Sequence, residues 1–100
     1  MNMILSTISK EKIRIEHMLA KYHAEYENLP KGTVSEKQVG ERTYYYLKYR
    51  LGKKVISQYI NKANINEVKE QIERRKHVEK MIKSLQEELD IANKVLEGEG

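Results

Sequence analysis

One hundred residues, of which 39% are apolar and 34% charged, suffice for a single modest hydrophobic core, and their periodic order argues against a disordered chain. The absence of cysteine excludes disulfides, thiolate metal sites and thiol catalysis, and without Trp or Phe the core must come from Ile, Leu, Val, Met and some of the seven tyrosines. The net charge of +4 is unevenly spread: residues 31–62 hold eight basic side chains against two acidic ones, residues 1–30 balance, and residues 63–100 hold seven basic against nine acidic. A middle segment that supplies the whole positive excess points to an anionic partner. Lysines that keep an exposed sheet edge soluble would give the same imbalance.

The opening MNMILSTISK lacks the basic start and long apolar run of a secretory signal. No stretch approaches the ~18–20 apolar residues of a membrane span, so the expected setting is soluble and cytoplasmic, with no membrane partner.

From about residue 3 to 28, Ile4, Ile8, Ile15, Met18, Tyr22 and Tyr26 fall at helical spacing, with Leu5 and Leu19 alongside. Helix formers fill the remaining positions, and Ser6 or Ser9 offers a cap for the start. Pro30 disfavours a helical Leu29 and Gly32 follows, so NLPKG predicts a helix stop. Thr33 to Val39 then reads as a short edge strand. Gly40-Glu41 is the expected turn into a second strand, about Arg42 to Arg50, where Thr43 and four tyrosines favour β structure. The next turn is Leu51-Gly52 or Gly52-Lys53, and a third strand follows to Ile60. Such short connections permit only antiparallel pairing, so the meander occupies about residues 33–60.

A two-residue loop assigns the faces of this sheet. Thr43, Tyr45, Leu47 and Tyr49 share one face with Ile56, Gln58 and Ile60, which is expected to be the core. Arg42, Tyr44, Tyr46, Lys48 and Arg50 share the other with Lys53, Val55, Ser57 and Tyr59, and Tyr44 is expected opposite Tyr59.

Asn64 with Glu67 predicts a capping box for a second helix, with Ala63 and Val68 as its staple. Apolar positions then continue from Ile65 to about residue 97, roughly 33 residues or ~50 Å against ~39 Å for the first helix. That difference predicts an overhang in which Leu85, Leu89, Ala92 and Leu96, in near-heptad register, stay uncovered and form a homodimer or partner-helix interface. Gly98-Glu99-Gly100 is expected to fray.

Aromatic rings with basic neighbours on a sheet are how single-stranded nucleic acids are stacked and neutralised, and a basic three-stranded sheet can also enter a DNA groove. Candidate nucleic-acid contacts are therefore Arg42, Tyr44, Tyr46, Lys48, Arg50, Lys53, Lys54 and Tyr59. The same tyrosines also serve simply as strand formers and contact surface. Arg74-Arg75-Lys76 sits among glutamates at ion-pair spacing, as a solvated helix face would. His17, His23 and His77 share no metal-ligand spacing, no base and nucleophile can be paired, and GxxxxGK[ST] is missing. No catalytic residue, metal or cofactor is expected, and the chain reads as a non-enzyme.

The series LPKGTVSEK, a Gly turn, RTYYYLKYR, Gly52-Lys53, Ser57-Gln58-Tyr59-Ile60 and a long helix containing ERRKHVEK resembles an uncharacterised family of small bacterial domains with a helix, YYYLxYR hairpin, helix order. The resemblance implies that fold order and no particular activity. The hairpin is also similar to the three-stranded arm-type DNA-binding domain of phage and transposon tyrosine recombinases, although the two long helices depart from that pattern. The expected architecture is α+β, two long antiparallel helices flanking a three-stranded antiparallel β-meander in one domain. The expected function is nucleic-acid binding through the basic, tyrosine-rich sheet. The alternative is a protein-interaction module, a dimeric adaptor or a phage or mobile-element inhibitor, acting through the long C-terminal helix.

Overall fold

A computed structural model describes residues 2–98. The elements follow the expected order: helix α1 (Met3–Asn28), strands β1 (Thr33–Val39), β2 (Arg42–Leu51) and β3 (Lys54–Ile60), a 3-10 turn (Lys62–Asn64) and helix α2 (Ile65–Glu97). The fold is α+β. Its contacts divide the chain into two compact units, Leu29–Lys76 and the residues on either side of it, so that α2 contributes its first twelve residues to one and the remainder to the other. The composition suggested one core; the described residues form two apolar clusters.

The first unit is the β-meander with the start of α2. Its sheet has the order β1-β2-β3, all antiparallel, so β1 is an edge strand as expected. Both turns have two residues, Gly40-Glu41 and Gly52-Lys53, with φ of 65° at Gly40 and 62° at Gly52 and no positive φ at any non-glycine among the described residues. Positive φ at the first turn position alone is the signature of type II′ turns, whose twist matches that of the flanking strands. The Gly52-Lys53 turn pairs Leu51 with Lys54 and Tyr46 with Tyr59. Pairing is thus shifted by two residues from a Leu51-Gly52 turn, which preserves the face assignment and corrects the expected Tyr44–Tyr59 opposition to a diagonal one.

Leu47 and Ile60 point to one side and are buried with Ile65 and Ile72 of α2, and Val34, Tyr45, Tyr49 and Val68 pack around them. Burying such aliphatic side chains contributes about 1.5–3 kcal/mol each before entropy is counted. The helical residues described in this cluster come from α2. Lys69 adds a cation–π contact, its Nζ 5.8 Å from the Tyr45 ring centre. Gly32 (φ 125°) closes the unit where β1 begins. A Cβ there would fall on the Lys48 carbonyl oxygen and 3.0 Å from Tyr49 Cβ, so the chain needs glycine at this point. Arg75, expected on a solvated face, is half-buried and donates from Nη1 to the Leu29 carbonyl at 2.9 Å.

The entry to α2 also differs from the expected capping box. A single 3-10 turn precedes the helix, and its N-cap is Asn61, whose Oδ1 accepts from the Ala63 amide at 3.0 Å. The cap therefore lies three residues before Asn64.

The second unit is a helical hairpin. Ile15 (2% exposed) and Leu19 pack with Leu85, supported by Met18, Tyr22, Ile82 and Leu89. Further along, Ile8 and Ile15 face Ala92 and Val95 across a groove, so α1 and α2 run antiparallel. The buried and half-buried positions 78, 82, 85, 89, 92 and 96 alternate steps of four and three, as do 8, 12, 15, 19, 22 and 26. That is the spacing of a two-helix seam. The start of α1 is capped by Asn2, not by Ser6 or Ser9: Asn2 Oδ1 accepts from the Ile4 amide at 2.8 Å. At the other end of α2, Gly98 donates its amide to the Lys94 carbonyl at 3.0 Å, and the expected fraying at 99 and 100 lies outside the described residues.

The stripe expected to overhang is therefore covered. Leu85 and Ala92 are each 8% exposed, and Leu89 and Leu96 are half-buried. The extra length of α2 lies at its N-terminal end, where residues 65–76 are used by the sheet.

Among the described residues no helix is long and apolar enough to cross a membrane.

Candidate nucleic-acid interface

With one sheet face spent on the core, the strand period sends the alternate residues of β2 to the other. Arg42, Tyr44, Tyr46, Lys48 and Arg50 share it with Val55, Ser57 and Tyr59 of β3. Pairing of β1 with β2 places Ser35 opposite Tyr46 and Lys37 opposite Tyr44, which brings Lys37 onto the same face. Arg42, Lys48, Arg50 and Lys37 are exposed, as are Ser57 and Tyr59.

The three tyrosines touch. The Tyr59 ring lies 6.0 Å from that of Tyr46 in an edge-to-face arrangement at 70°, and 6.5 Å from that of Tyr44 at 55°. Tyr44 and Tyr46 are half-buried, whereas Tyr59 is 57% exposed. Two rings anchored on the central strand therefore brace a third that stands in solvent.

Two expected contacts do not join this group. Lys54 pairs with Leu51 and so belongs to the side of Leu47 and Ile60, while Lys53 sits in the turn. Lys37 was missed from the sequence because β1 has no clear alternation. Counting back from the Gly40-Glu41 turn would have found it, since Val39 opposite Arg42 fixes Lys37 opposite Tyr44.

The electrostatics of the face are one-sided. Lys37, Arg42, Lys48 and Arg50 lie there with no carboxylate among its described residues; Glu36 is on the opposite face and Glu41 in a turn. The shifted ionisations are elsewhere. Arg14 donates from Nε to Glu11 Oε1 at 2.9 Å on the exposed surface of α1, and this hydrogen bond holds the Glu11 carboxyl below its ordinary range and raises the Arg14 guanidinium. On α2, Lys76 is paired with Glu73 at 3.3 Å. His17, His23 and His77 are exposed, and among the described residues no three His, Asp or Glu side chains are grouped to hold a metal ion.

The fold and this face define a small helix, meander, helix domain with one aromatic, cationic sheet surface left open. The chain belongs to the family described as a domain of unknown function, DUF6788, whose model matches residues 5–70, from the start of α1 through the meander into α2. No curated protein and no solved structure matches the chain significantly.

Proposed function

We propose that the chain is a non-enzymatic nucleic-acid-binding module that works through the open face of its sheet. The observation that carries this reading is the composition of that face: four cations, three touching tyrosines and no carboxylate among its described residues. Lysine and arginine there neutralise phosphates, which supplies affinity, and ring faces meet bases or sugars, which supplies position. A cytoplasmic location belongs to the same proposal. The test is binding to a pool of fluorescent single- and double-stranded oligonucleotides at low and high salt. Saturable binding that weakens steeply with salt, and that is lost in the Lys48→Glu/Arg50→Glu double variant, supports the reading. No binding at low salt overturns it.

A separate observation favours a second reading, self-association. Ile91 and Val95, one turn apart on α2, are exposed beside a groove of about 420 Å³ whose other wall includes Ile8 and Ile15 of α1. Aliphatic side chains exposed at helical spacing are what an additional helix covers. The groove carries Glu11, Arg14 and Glu88, a mixed-sign set that a second copy of the chain can complement by symmetry. A homodimer would then form through this groove, and not through Leu85 and Leu89, which α1 already covers. Sedimentation of the wild type and of Ile91→Glu/Val95→Glu checks it, a dimer reduced to monomer being the expected result.

A further inference from the structure

Resting on the nucleic-acid reading, we infer that the ligand of the open sheet face is a single strand, gripped by stacking of an unpaired base on Tyr59 and read without regard to sequence. Two features of the face carry this. The first is where the rings stand. Tyr46 lies directly across from Tyr59 and Tyr44 on the diagonal, so the cluster occupies the middle of the face, with Lys48 and Arg50 toward one end of β2 and Arg42 toward the other. Tyr59 is braced on two sides and still 57% exposed. Such a ring offers a π surface, and only an unpaired base has a π surface free to meet it. In a duplex each base is already stacked on its neighbours, and what the grooves present is base edges.

The second feature is what the face lacks. A sheet that reads a duplex groove needs side chains that address base edges, chiefly Arg for guanine and Asn or Gln for adenine. The amides of the meander, Gln38 and Gln58, lie on the core side, opposite Thr43 and Leu47. The two arginines of the open face stand eight residues apart on β2, ~27 Å at ~3.4 Å per residue, with tyrosines and Lys48 between them. That spacing suits phosphates on both sides of a stacked segment, and no groove contact fills the centre. The same ~27 Å corresponds to about eight stacked nucleotides at ~3.4 Å each, and to fewer as bases unstack.

The experiment is fluorescence anisotropy at low salt with the full chain and five probes: dT12, rU12, a mixed-sequence 12-mer, a blunt 12-base-pair duplex, and a dT series from four to sixteen nucleotides. The expected result is at least tenfold tighter binding of single strand than of duplex, little difference between dT12 and the mixed 12-mer, and affinity that levels off by about eight nucleotides. Tyr59→Ala should weaken single-strand binding by roughly tenfold, a typical loss for one stacked base, while Tyr59→Phe keeps it. Because the side chain is exposed, both variants should melt near the wild type. A stronger response to rU12 or to dT12 identifies RNA or DNA as the preferred source, and either supports the inference. Duplex binding as tight as single-strand binding, or a Tyr59→Ala variant that binds like the wild type, overturns the single-strand inference and leaves the nucleic-acid reading standing. Failure of every probe to bind overturns both.

Discussion

The two units spend their apolar surface differently. In the helical hairpin, the seam of α1 and that of α2 close on each other, and Ile15, Leu19 and Leu85 end up buried. In the meander a sheet has two faces, and only the one with Leu47 and Ile60 is covered. The charges follow the same division. Residues 29–76 hold twelve basic side chains against five acidic ones, whereas the other described residues hold seven against nine. An antiparallel sheet can leave one face to solvent without losing its core, and a two-helix seam cannot. The uncovered cationic surface is therefore found on the sheet.

That contrast can be broken from either side. The largest stability effects belong to the buried positions: Ile15→Ala in the hairpin and Leu47→Ala in the meander should each cost about 2–5 kcal/mol in urea unfolding. Ile15→Ala, assayed where it is still folded, should bind oligonucleotide like the wild type, because every proposed contact lies on the meander.

Gly32→Ala comes next. Its added Cβ meets the Lys48 carbonyl at a φ of 125°, and strain of that kind costs about 1–3 kcal/mol, measurable as a lowered melting temperature. Gly52→Ala tests the turn without the clash, since nothing lies within 4 Å of its Cβ. It should lose less than Gly32→Ala.

Lys48→Glu/Arg50→Glu should reverse that pattern, leaving the melt almost unchanged and weakening oligonucleotide binding more than tenfold. The salt slope should also become shallower, by about 0.7–0.9 for each phosphate that is no longer neutralised.

The smallest effect concerns Glu11. Its folded pKa is depressed by the Arg14 hydrogen bond, so the stability it adds is present above the carboxylate range and is lost as pH falls through the folded value. The pair is exposed, so the gain is slight. Glu11→Gln should melt a little below the wild type at neutral pH, and the difference should vanish in acid, once the carboxyl is protonated in the folded chain.

Much of the fold was legible because local rules decide it. Pro30 and Gly32 stop α1, glycines at 40 and 52 mark the turns, and apolar residues at helical spacing run through α2 to its end. The face assignment survived an error of two residues in register, because strand faces depend only on parity. What was not legible depends on distant partners. The length of α2 suggested an overhang at Leu85 to Leu96, yet nothing local says that its first three turns are taken up by Leu47 and Ile60. Lys54, by contrast, could have been set apart from Lys53 in the sequence, since its parity with Ile56 and Ile60 sends it to the core side in either turn register. Arg75 looked solvated because its acceptor, the Leu29 carbonyl, is 46 residues away.

If ligand meets the open sheet face as proposed, an amide chemical-shift map of the labelled chain titrated with dT12 shows it directly. Shifts concentrated on β1, β2 and β3, with the largest at Tyr46, Lys48 and Tyr59 and none along 8–26 or 78–96, are the predicted result. Shifts confined to the helical hairpin, or no shifts at saturating oligonucleotide and low salt, would contradict it.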